Sequence, residues 1–203
     1  QEFLYRTPGL FTQNATNHAQ DLRISLRGFG ARSGFGIRGI KLLVDGIPDT
    51  TPDGQGQIDN LDLNLIESIQ IIRGPASGLY GNASGGVISI QTLNNIKKSF
   101  IEWRSTYGSF NTLKNDLKLG IKLGQNDLIV NASRFSTAGY RSNSGSITQS
   151  LHLKLNAPVT NDFNLQFIAA IVDSPKAEDP GSISLEQAMS NRTEASSRNI
   201  EFN

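Results

Sequence analysis

The feature that most constrains the fold is a glycine-rich stretch at residues 66–92, IESIQIIRGPASGLYGNASGGVISIQT. Two runs rich in β-branched residues, Ile66–Ile72 and Val87–Gln91, bracket it and favour strands. Between them, Pro75 suits the first position of a short helical turn, and Gly81 is placed to end that turn in a left-handed conformation. The central glycines also permit close approach of the backbone; they are Gly74, Gly78, Gly81, Gly85 and Gly86. The stretch predicts a strand, one helical turn, a tight glycine corner and a second strand.

Composition limits the classes of protein that remain possible. The chain has 203 residues, of which 37% are hydrophobic and 18% charged, so it is expected to fold into one or two domains. The net charge of +1 gives no sign of nucleic-acid binding, and the absence of cysteine excludes disulfides and thiolate sites. The N-terminus does not read as a signal peptide, and no run approaches the roughly 18 apolar residues of a membrane helix. A soluble β-rich protein and a membrane protein that crosses by strands remain.

The first 92 residues are divided by turns. Leu22–Leu26 and Ile40–Val44 predict short strands. The glycine-rich sequence GFGARSGFGIRG at residues 28–39 predicts an exposed loop. Residues 47–60 contain two prolines and two glycines and cannot form the interior of a strand or helix. This half of the chain therefore predicts a small domain with long loops.

From residue 97 onward, apolar and polar residues alternate over segments of about ten residues, which is typical of strands with one apolar face. We call the alternate positions that carry apolar side chains the apolar parity, and the positions between them the polar parity. The apolar parity includes Ile101, Trp103, Tyr107, Leu113, Leu117, Leu119, Ile121, Leu123, Leu151, Leu153, Leu155, Phe163, Leu165, Phe167 and Ile171. On the opposite parity, which also carries Lys154, His152 is expected to be solvated. Short connections at 124–126 and 157–162 alternate with longer ones at 139–146 and 174–199, as in an outer-membrane barrel. The first return, at 108–111, is short and breaks this trend.

No group of residues predicts catalysis. The glycines of GFGARSG are one residue off the dinucleotide-binding fingerprint. The four aspartates between residues 45 and 59 match no calcium-binding loop and are expected to form turns. Glu67 has no second carboxylate at a catalytic spacing and is expected to be a paired charge. We therefore predict no enzyme activity, no cofactor and no metal.

Arg27 and Arg73 share a context, since each ends an apolar strand and precedes a glycine, in LRG and IRG. A permanently charged guanidinium in a partly dry setting requires carboxylate or carbonyl partners. The repeated context favours paired, structural arginines.

Three motifs, LRISLRGFG, KLLVDGIP and IESIQIIRGPASGLYGNASGGVISIQT, resemble the plug domain of TonB-dependent outer-membrane receptors in their order and spacing. Residues 97–203 resemble the opening barrel strands of the same family. The fold class implied is an α+β plug domain, a small mixed sheet with short helices, followed by antiparallel transmembrane β-barrel strands. The domains implied are a plug over residues 1–95 and barrel strands over 96–203, a fragment of a plugged barrel.

The resemblance implies a monomeric receptor in the lipid of the bacterial outer membrane, which takes up a scarce small ligand by energy-coupled rearrangement of the plug. The TonB energy-coupling protein would act through a segment expected before residue 1, together with the signal peptide. Arg27 and Arg73 match arginines that pair with glutamates on the barrel wall, here beyond residue 203. Glu67 is assigned to the same plug–barrel anchoring group.

The two loops look like those of the subgroup that includes the pyrroloquinoline quinone receptor, with siderophore receptors as more distant relatives. The ligand implied is a redox cofactor such as pyrroloquinoline quinone, or a ferric siderophore. Ligand-facing residues at the plug apices are predicted to be Arg32, Ser33, Phe35, Asp53, Gln55 and Gln57. Arg32 can bind an anionic carboxylate, and Phe35 can stack on a planar ring.

Two other classes remain open. In a soluble secreted β-rich binding or adhesion module, the apolar parity of residues 97–172 would face a core, whereas in a barrel it faces lipid. A carbohydrate-active β enzyme would need two carboxylates at a catalytic separation, and the sequence shows no such pair.

Overall fold

A computed structural model of the chain describes residues 7–13, 17–34, 36–51, 53–58 and 60–200. The described residues form two compact units, the first within residues 1–16 and 20–93 and the second within 17–19 and 94–203. Among the described residues, no helix combines the length and the apolar character needed to cross a membrane.

The first unit contains eight short strands: β1 (Leu10–Gln13), β2 (Arg23–Leu26), β3 (Ile37–Arg38), β4 (Ile40–Val44), β5 (Ile47–Pro48), β6 (Gln55–Gly56), β7 (Ile66–Arg73) and β8 (Gly86–Thr92). A four-stranded sheet has the order β5-β4-β8-β7, in which β4 and β8 run parallel and the other pairs antiparallel. The antiparallel pairs β1–β2 and β3–β6 form separate two-stranded sheets. A 3₁₀ turn (Leu63–Leu65) precedes β7, and helix α1 (Ser77–Tyr80) lies between β7 and β8.

Alternate residues of these strands form the core of the first unit. The buried cluster consists of Leu10, Leu22, Ile24, Leu26, Ile37, Ile40, Leu42, Ile88 and Ile90. The predicted strands at 22–26, 40–44, 66–72 and 87–91 are confirmed to within a residue or two at each end. The small mixed sheet with short helices is confirmed as well.

The helical turn begins later than Pro75 predicts. Its N-cap is Ala76, so Pro75 lies before the cap instead of at the first helical position, and that prediction is wrong. The reason is a backbone contact across the corner, because the Ala76 N–H donates to the Ala83 carbonyl at 3.0 Å. Gly81 does follow the last turn with a positive φ of 75°, but its ψ of −123° lies outside the left-handed helical region.

Two of the five central glycines allow close packing. An added Cβ at Gly85 would lie 2.5 Å from Phe29 Cβ, and one at Gly86 would overlap the Ile72 carbonyl oxygen. A Cβ on Gly78 would meet nothing within 4 Å. The expectation of close backbone packing is therefore confirmed at Gly85 and Gly86, where β8 begins, and is wrong at Gly74, Gly78 and Gly81, where an added Cβ would meet nothing within 4 Å.

We predict that Gly86→Ala destabilises the first unit by more than about 2 kcal/mol, because Gly86 combines a φ of +138° with the Ile72 contact. The matched change Gly78→Ala should be neutral or stabilise by about 0.5–1 kcal/mol through helix propensity. Amide hydrogen exchange of β8 in the two variants measures the difference. Equal protection in both would contradict the assignment of close packing to Gly86.

The second unit contains five long antiparallel strands in sequence order: β9 (Phe100–Gly108), β10 (Thr112–Leu123), β11 (Asn126–Thr137), β12 (Ser146–Pro158) and β13 (Asn164–Ala177). Two short helices follow, α2 (Leu185–Ser190) and α3 (Ser197–Ile200). The five predicted strands are confirmed. The connection predicted to begin at Ser174 is wrong, because β13 continues to Ala177. A register shift opposite Ile147 and Gln149 leaves Pro175 out of the ladder, which is how a strand accommodates proline.

Burial in this sheet is the reverse of that in a water-soluble sheet. On the apolar parity, Trp103 is 76% exposed and Ile171 67% exposed. On the polar parity, Asn131 is 0% exposed and Asp127 2%. His152 and Lys154 are buried too, so the expectation that His152 is solvated is wrong. An apolar face turned outward fits a wall in lipid and contradicts the soluble β-rich module.

Ion pairs offset the cost of charge on the buried polar face. Lys122 Nζ lies 2.7 Å from Asp127 Oδ1, and Lys118 Nζ lies 3.1 Å from Glu102 Oε2. Lys114 Nζ lies 3.4 Å from Asp116 Oδ1. Buried charges require such partners, and each of these three lysines on the polar parity has a carboxylate partner.

We predict that Leu117→Lys, at the middle of the apolar face, prevents assembly in the membrane at a cost of about 2–4 kcal/mol. Ala170→Lys is the matched control, since it places the same charge on the polar parity, in the row of Asn131 and His152. The yield of folded protein in the membrane fraction, detected by heat-modifiable migration in mild detergent, measures both. An equal loss of folded receptor in both variants would contradict the assignment of the two faces.

Candidate functional site

The two predicted ligand-facing loops are joined by a short sheet. We define residues 27–36 as the first apical loop and residues 49–58 as the second. β3, directly after the first loop, pairs antiparallel with β6 inside the second, with Ile37 opposite Gly56 and Arg38 opposite Gln55. The tip of the second loop is closed by backbone hydrogen bonds from Thr51 to Gln55 and from Gly54 to Thr51, both 2.8 Å. The pairing fixes one loop against the other.

Four polar side chains form an apical network, Arg38, Thr51, Asp53 and Gln55. Arg38 Nη2 donates to Gln55 Oε1 at 3.1 Å and lies 3.7 Å from Asp53 Oδ2. Asp53 Oδ1 accepts from the Gln55 N–H at 3.2 Å and from the Thr51 hydroxyl. The Arg38 and Asp53 side chains are more than half exposed, and such pairs contribute little to stability. The network instead fixes the direction of each polar group.

Asp53 is held in its ionised form. The Thr51 hydroxyl, then the Gln55 N–H, with Arg38 as a smaller cause, lower the pKa of Asp53. The pKa of Asp53 in the folded state lies below the unfolded value of about 3.9. Ionised Asp53 therefore contributes its full stabilisation of the folded state at pH values above the unfolded pKa. This stabilisation is lost as the pH falls through the folded pKa. By contrast, burial raises the pKa of Asp49 in the same loop.

Two other predicted ligand-facing residues, Arg32 and Gln57, take no part in the contacts of this network. Arg32 is exposed, and no hydrogen bond or ion pair joins its side chain to the residues that the structure describes. Ser33 is buried, and its N–H donates to the Gly30 carbonyl at 3.1 Å. Gln57 Nε2 donates to Asp21 Oδ2 at 2.8 Å. Phe35 lies outside the described residues. The structure thus brings Asp53 and Gln55 together and places Gln57 in a separate contact.

Three residues of the site were not predicted from the sequence. Arg38 joins the two loops, Asp21 holds Gln57, and Arg23 Nη2 donates to the Ala31 carbonyl at 3.3 Å in the first apical loop. The signal for Arg38 was weak, because β3 has two residues and shows no periodicity. Only the opposite charges of Arg38 and Asp53, in adjacent loops, could have indicated the pair.

The glycine corner supports the second apical loop. Gly54 has a φ of +80°, and a Cβ there would overlap the side-chain amide of Asn82, in the corner between α1 and β8. The absent side chain lets the loop tip lie directly against the corner.

The predicted anchoring residues are exposed. Arg27 has a φ of 51°, and its N–H donates to the Gly9 carbonyl at 2.8 Å. Arg73 ends β7, opposite Gly86. Within the described part of the chain, no ion pair or side-chain hydrogen bond involves Arg27, Arg73 or Glu67. Their guanidinium and carboxylate groups are open to partners outside these residues.

An apolar cavity of about 400 Å³ is a less suitable candidate site. Its lining comes from β2, β7, β8 and the segment before β7, and includes Leu22, Ile24, Ile58, Ile69, Ile88 and Ile90. Glu67 is the only ionisable group among the described lining residues. In the described chain, no cluster of His, Asp or Glu could hold a metal ion. The apical loops carry the charged and hydrogen-bonding groups instead.

Comparison with known proteins agrees with this architecture. Residues 1–87 match the family model described as TonB-dependent Receptor Plug Domain. The hemin receptor of Yersinia pestis is 37% identical over 95 residues, covering 46% of this chain and 13% of that receptor. The ferrienterobactin receptor of Escherichia coli (strain K12) is 30% identical over 118 residues, covering 51% of this chain and 14% of that receptor. This chain therefore matches a small part of each receptor's length.

A solved structure extends the similarity to the strands of the second unit. The ferric yersiniabactin uptake receptor FyuA from Yersinia pestis superposes with a TM-score of 0.66 at 23% identity. The match covers 82% of this chain and 27% of that one. At this identity the likeness establishes the fold.

We predict that Asp53→Asn loosens the second apical loop, because the neutral amide cannot accept the Thr51, Gln55 and Arg38 contacts equally well. Amide hydrogen exchange at Gln55 should become severalfold faster. Asp49→Asn is the matched control in the same loop and should leave Gln55 exchange unchanged. Unchanged exchange in Asp53→Asn would contradict the network.

Proposed function

We propose that the chain forms part of a TonB-dependent outer-membrane receptor that transports a scarce small ligand, because residues 1–87 match the family model of the receptor plug domain. In this proposal, the ligand binds at the apical loops, and energy coupling through TonB rearranges the plug. The proposal assigns no catalytic step to the chain. The plug and the lipid-facing strands act together with the rest of the receptor.

The observation that carries the proposed ligand site is the exposed Arg32 in the first apical loop, which the β3–β6 pair joins to the loop that holds the polar network. Arg38 is engaged by Asp53 and Gln55, whereas Arg32 has no such partner among the described residues. An exposed guanidinium can form paired hydrogen bonds with a carboxylate or another planar anion. We therefore propose an anionic ligand with Arg32 as its main contact, and with Asp53, Gln55 and Gln57 ordering the surrounding loops.

The names of the relatives support an iron-carrying ligand. One is a hemin receptor and another a ferrienterobactin receptor. Haem bears carboxylates, and ferric siderophore complexes are commonly anionic, so both suit an exposed arginine. Pyrroloquinoline quinone, which bears carboxylates as well, is the second candidate; the resemblance of the two loops to that subgroup favours it.

Arg27 and Arg73 are the proposed anchors of the plug. Each is exposed and has no ion-pair partner in the described part of the chain. We propose that their partners are glutamates on barrel strands beyond residue 203, and that Glu67 belongs to the same anchoring group. Such pairs would hold the plug between transport cycles.

We predict that Arg32→Ala in the intact receptor weakens ligand binding about tenfold, the loss expected for a hydrogen bond between charged groups. Haem and a ferric catecholate siderophore serve as probes, and equilibrium binding to purified receptor is the measurement. Lys97→Ala, which removes the same charge from an exposed residue after the plug strands, should leave affinity unchanged. Unchanged affinity in Arg32→Ala for a probe that does bind would contradict the assignment.

A further inference from the structure

Residues 17–19 belong to the second unit, although they lie between β1 and β2 in sequence. Asn17 Nδ2 donates to Asp179 Oδ1 at 2.8 Å. The next residue is His18, and the centroid of its ring lies 5.1 Å from the centroid of the Phe135 ring on β11. We name residues 17–19 the latch. Both contacts join a short connecting segment to residues more than 100 positions away.

The acceptor of the latch is held in a fixed position. Residues 178–200, the outer loop, begin with Glu178 and Asp179 after β13. Asp179 Oδ1 also accepts from the Gly181 N–H at 2.8 Å, and Asn143 Nδ2 donates to the Asp179 carbonyl at 3.0 Å.

Arg141 secures the rest of the outer loop. Its guanidinium donates to the carbonyls of Gly181 at 2.6 Å and of Glu194 at 2.8 Å. One side chain thereby ties two separate parts of the outer loop to the connection between β11 and β12. The outer loop and the latch acceptor therefore move together.

The residues directly after the latch bond to both apical loops. Asp21 accepts from Gln57 in the second apical loop at 2.8 Å. Arg23 donates to the Ala31 carbonyl in the first apical loop at 3.3 Å. Only four positions separate Asn17 from Asp21, so a shift of the latch displaces two groups that hold the ligand-facing loops.

We propose that the latch couples the outer loop to the apical loops. Contact between Asn17 and Asp179 keeps the apical loops in the observed arrangement, and movement of the outer loop releases them. The coupling follows a connected path of hydrogen bonds and a short stretch of chain, which is one physical route by which two sites can be coupled. Its role in transport rests on the proposed function, whereas the coupling itself does not.

Opening the latch tests the first half of the proposal. Asn17→Asp places two carboxylates in contact while keeping the acceptor for the Ala19 N–H. Trypsin cleavage at Arg192 and Arg198, both exposed in the outer loop, should become about tenfold faster in the intact receptor, the factor expected when a hydrogen bond to a charged group is lost. The swap Asn17→Asp with Asp179→Asn restores a donor and an acceptor and should return cleavage to the original rate.

Gln13→Asp is the matched control, because it adds the same charge at an exposed residue at the end of β1 and should change nothing. Heat-modifiable migration confirms that each variant folds. If trypsin cleaves the Asn17→Asp variant at the original rate, or if the swap does not restore that rate, the proposed role of the latch is wrong.

The second half is tested at the apical loops without any ligand. These 203 residues contain no cysteine; with any cysteine elsewhere in the receptor replaced by serine, a spin label on Arg32→Cys reports the first apical loop. Asn17→Asp should increase the mobility of this label, and the swap should reverse the increase. Faster trypsin cleavage of the outer loop with unchanged mobility of the label at residue 32 would contradict the proposed coupling. Neither measurement depends on transport.

Discussion

The outward-facing apolar side chains of β9–β13 impose the constraint on which the rest of the structure depends. A sheet that exposes Trp103 and Ile171 while burying Asp127 and Asn131 is stable only where the surrounding medium is apolar. The same reversal concentrates charge on the opposite face, where Lys122 and Lys118 find carboxylate partners. Lipid on one side and ion pairs on the other are therefore two results of one alternating pattern.

The first unit follows the ordinary rule of an apolar interior, and its loops depend on small features of that interior. Gly85 and Gly86 allow β8 to begin against neighbouring backbone, and Gly54 allows the second apical loop to lie against Asn82. The β3–β6 pair then brings Arg38 to Asp53 and Gln55. A few positions without side chains thus determine where the exposed charges of the candidate site lie.

Much of the fold follows from local pattern. Strands β9–β13 were predictable because period-two alternation over about ten residues is a property of the sequence itself. The burial of His152 and Lys154 on the polar face was not predictable, because the same alternation is compatible with water or lipid on either face of the sheet. The onset of α1 was misplaced because a contact between Ala76 and Ala83 outweighs the preference of Pro75. The role of Arg38 in the site was not predicted, because a strand of two residues is too short to show an alternation of apolar and polar residues.

A series of single cysteines across β10, each carrying a spin label in the intact receptor, tests the account's central claim most directly. Accessibility to lipid-soluble oxygen should peak at residues 113, 117, 119 and 121 and fall at residues 114, 116, 118 and 122. Accessibility to a water-soluble nickel complex should show no peak on the apolar parity. Maxima of oxygen accessibility on the even positions, or no period of two, would contradict a lipid-facing wall.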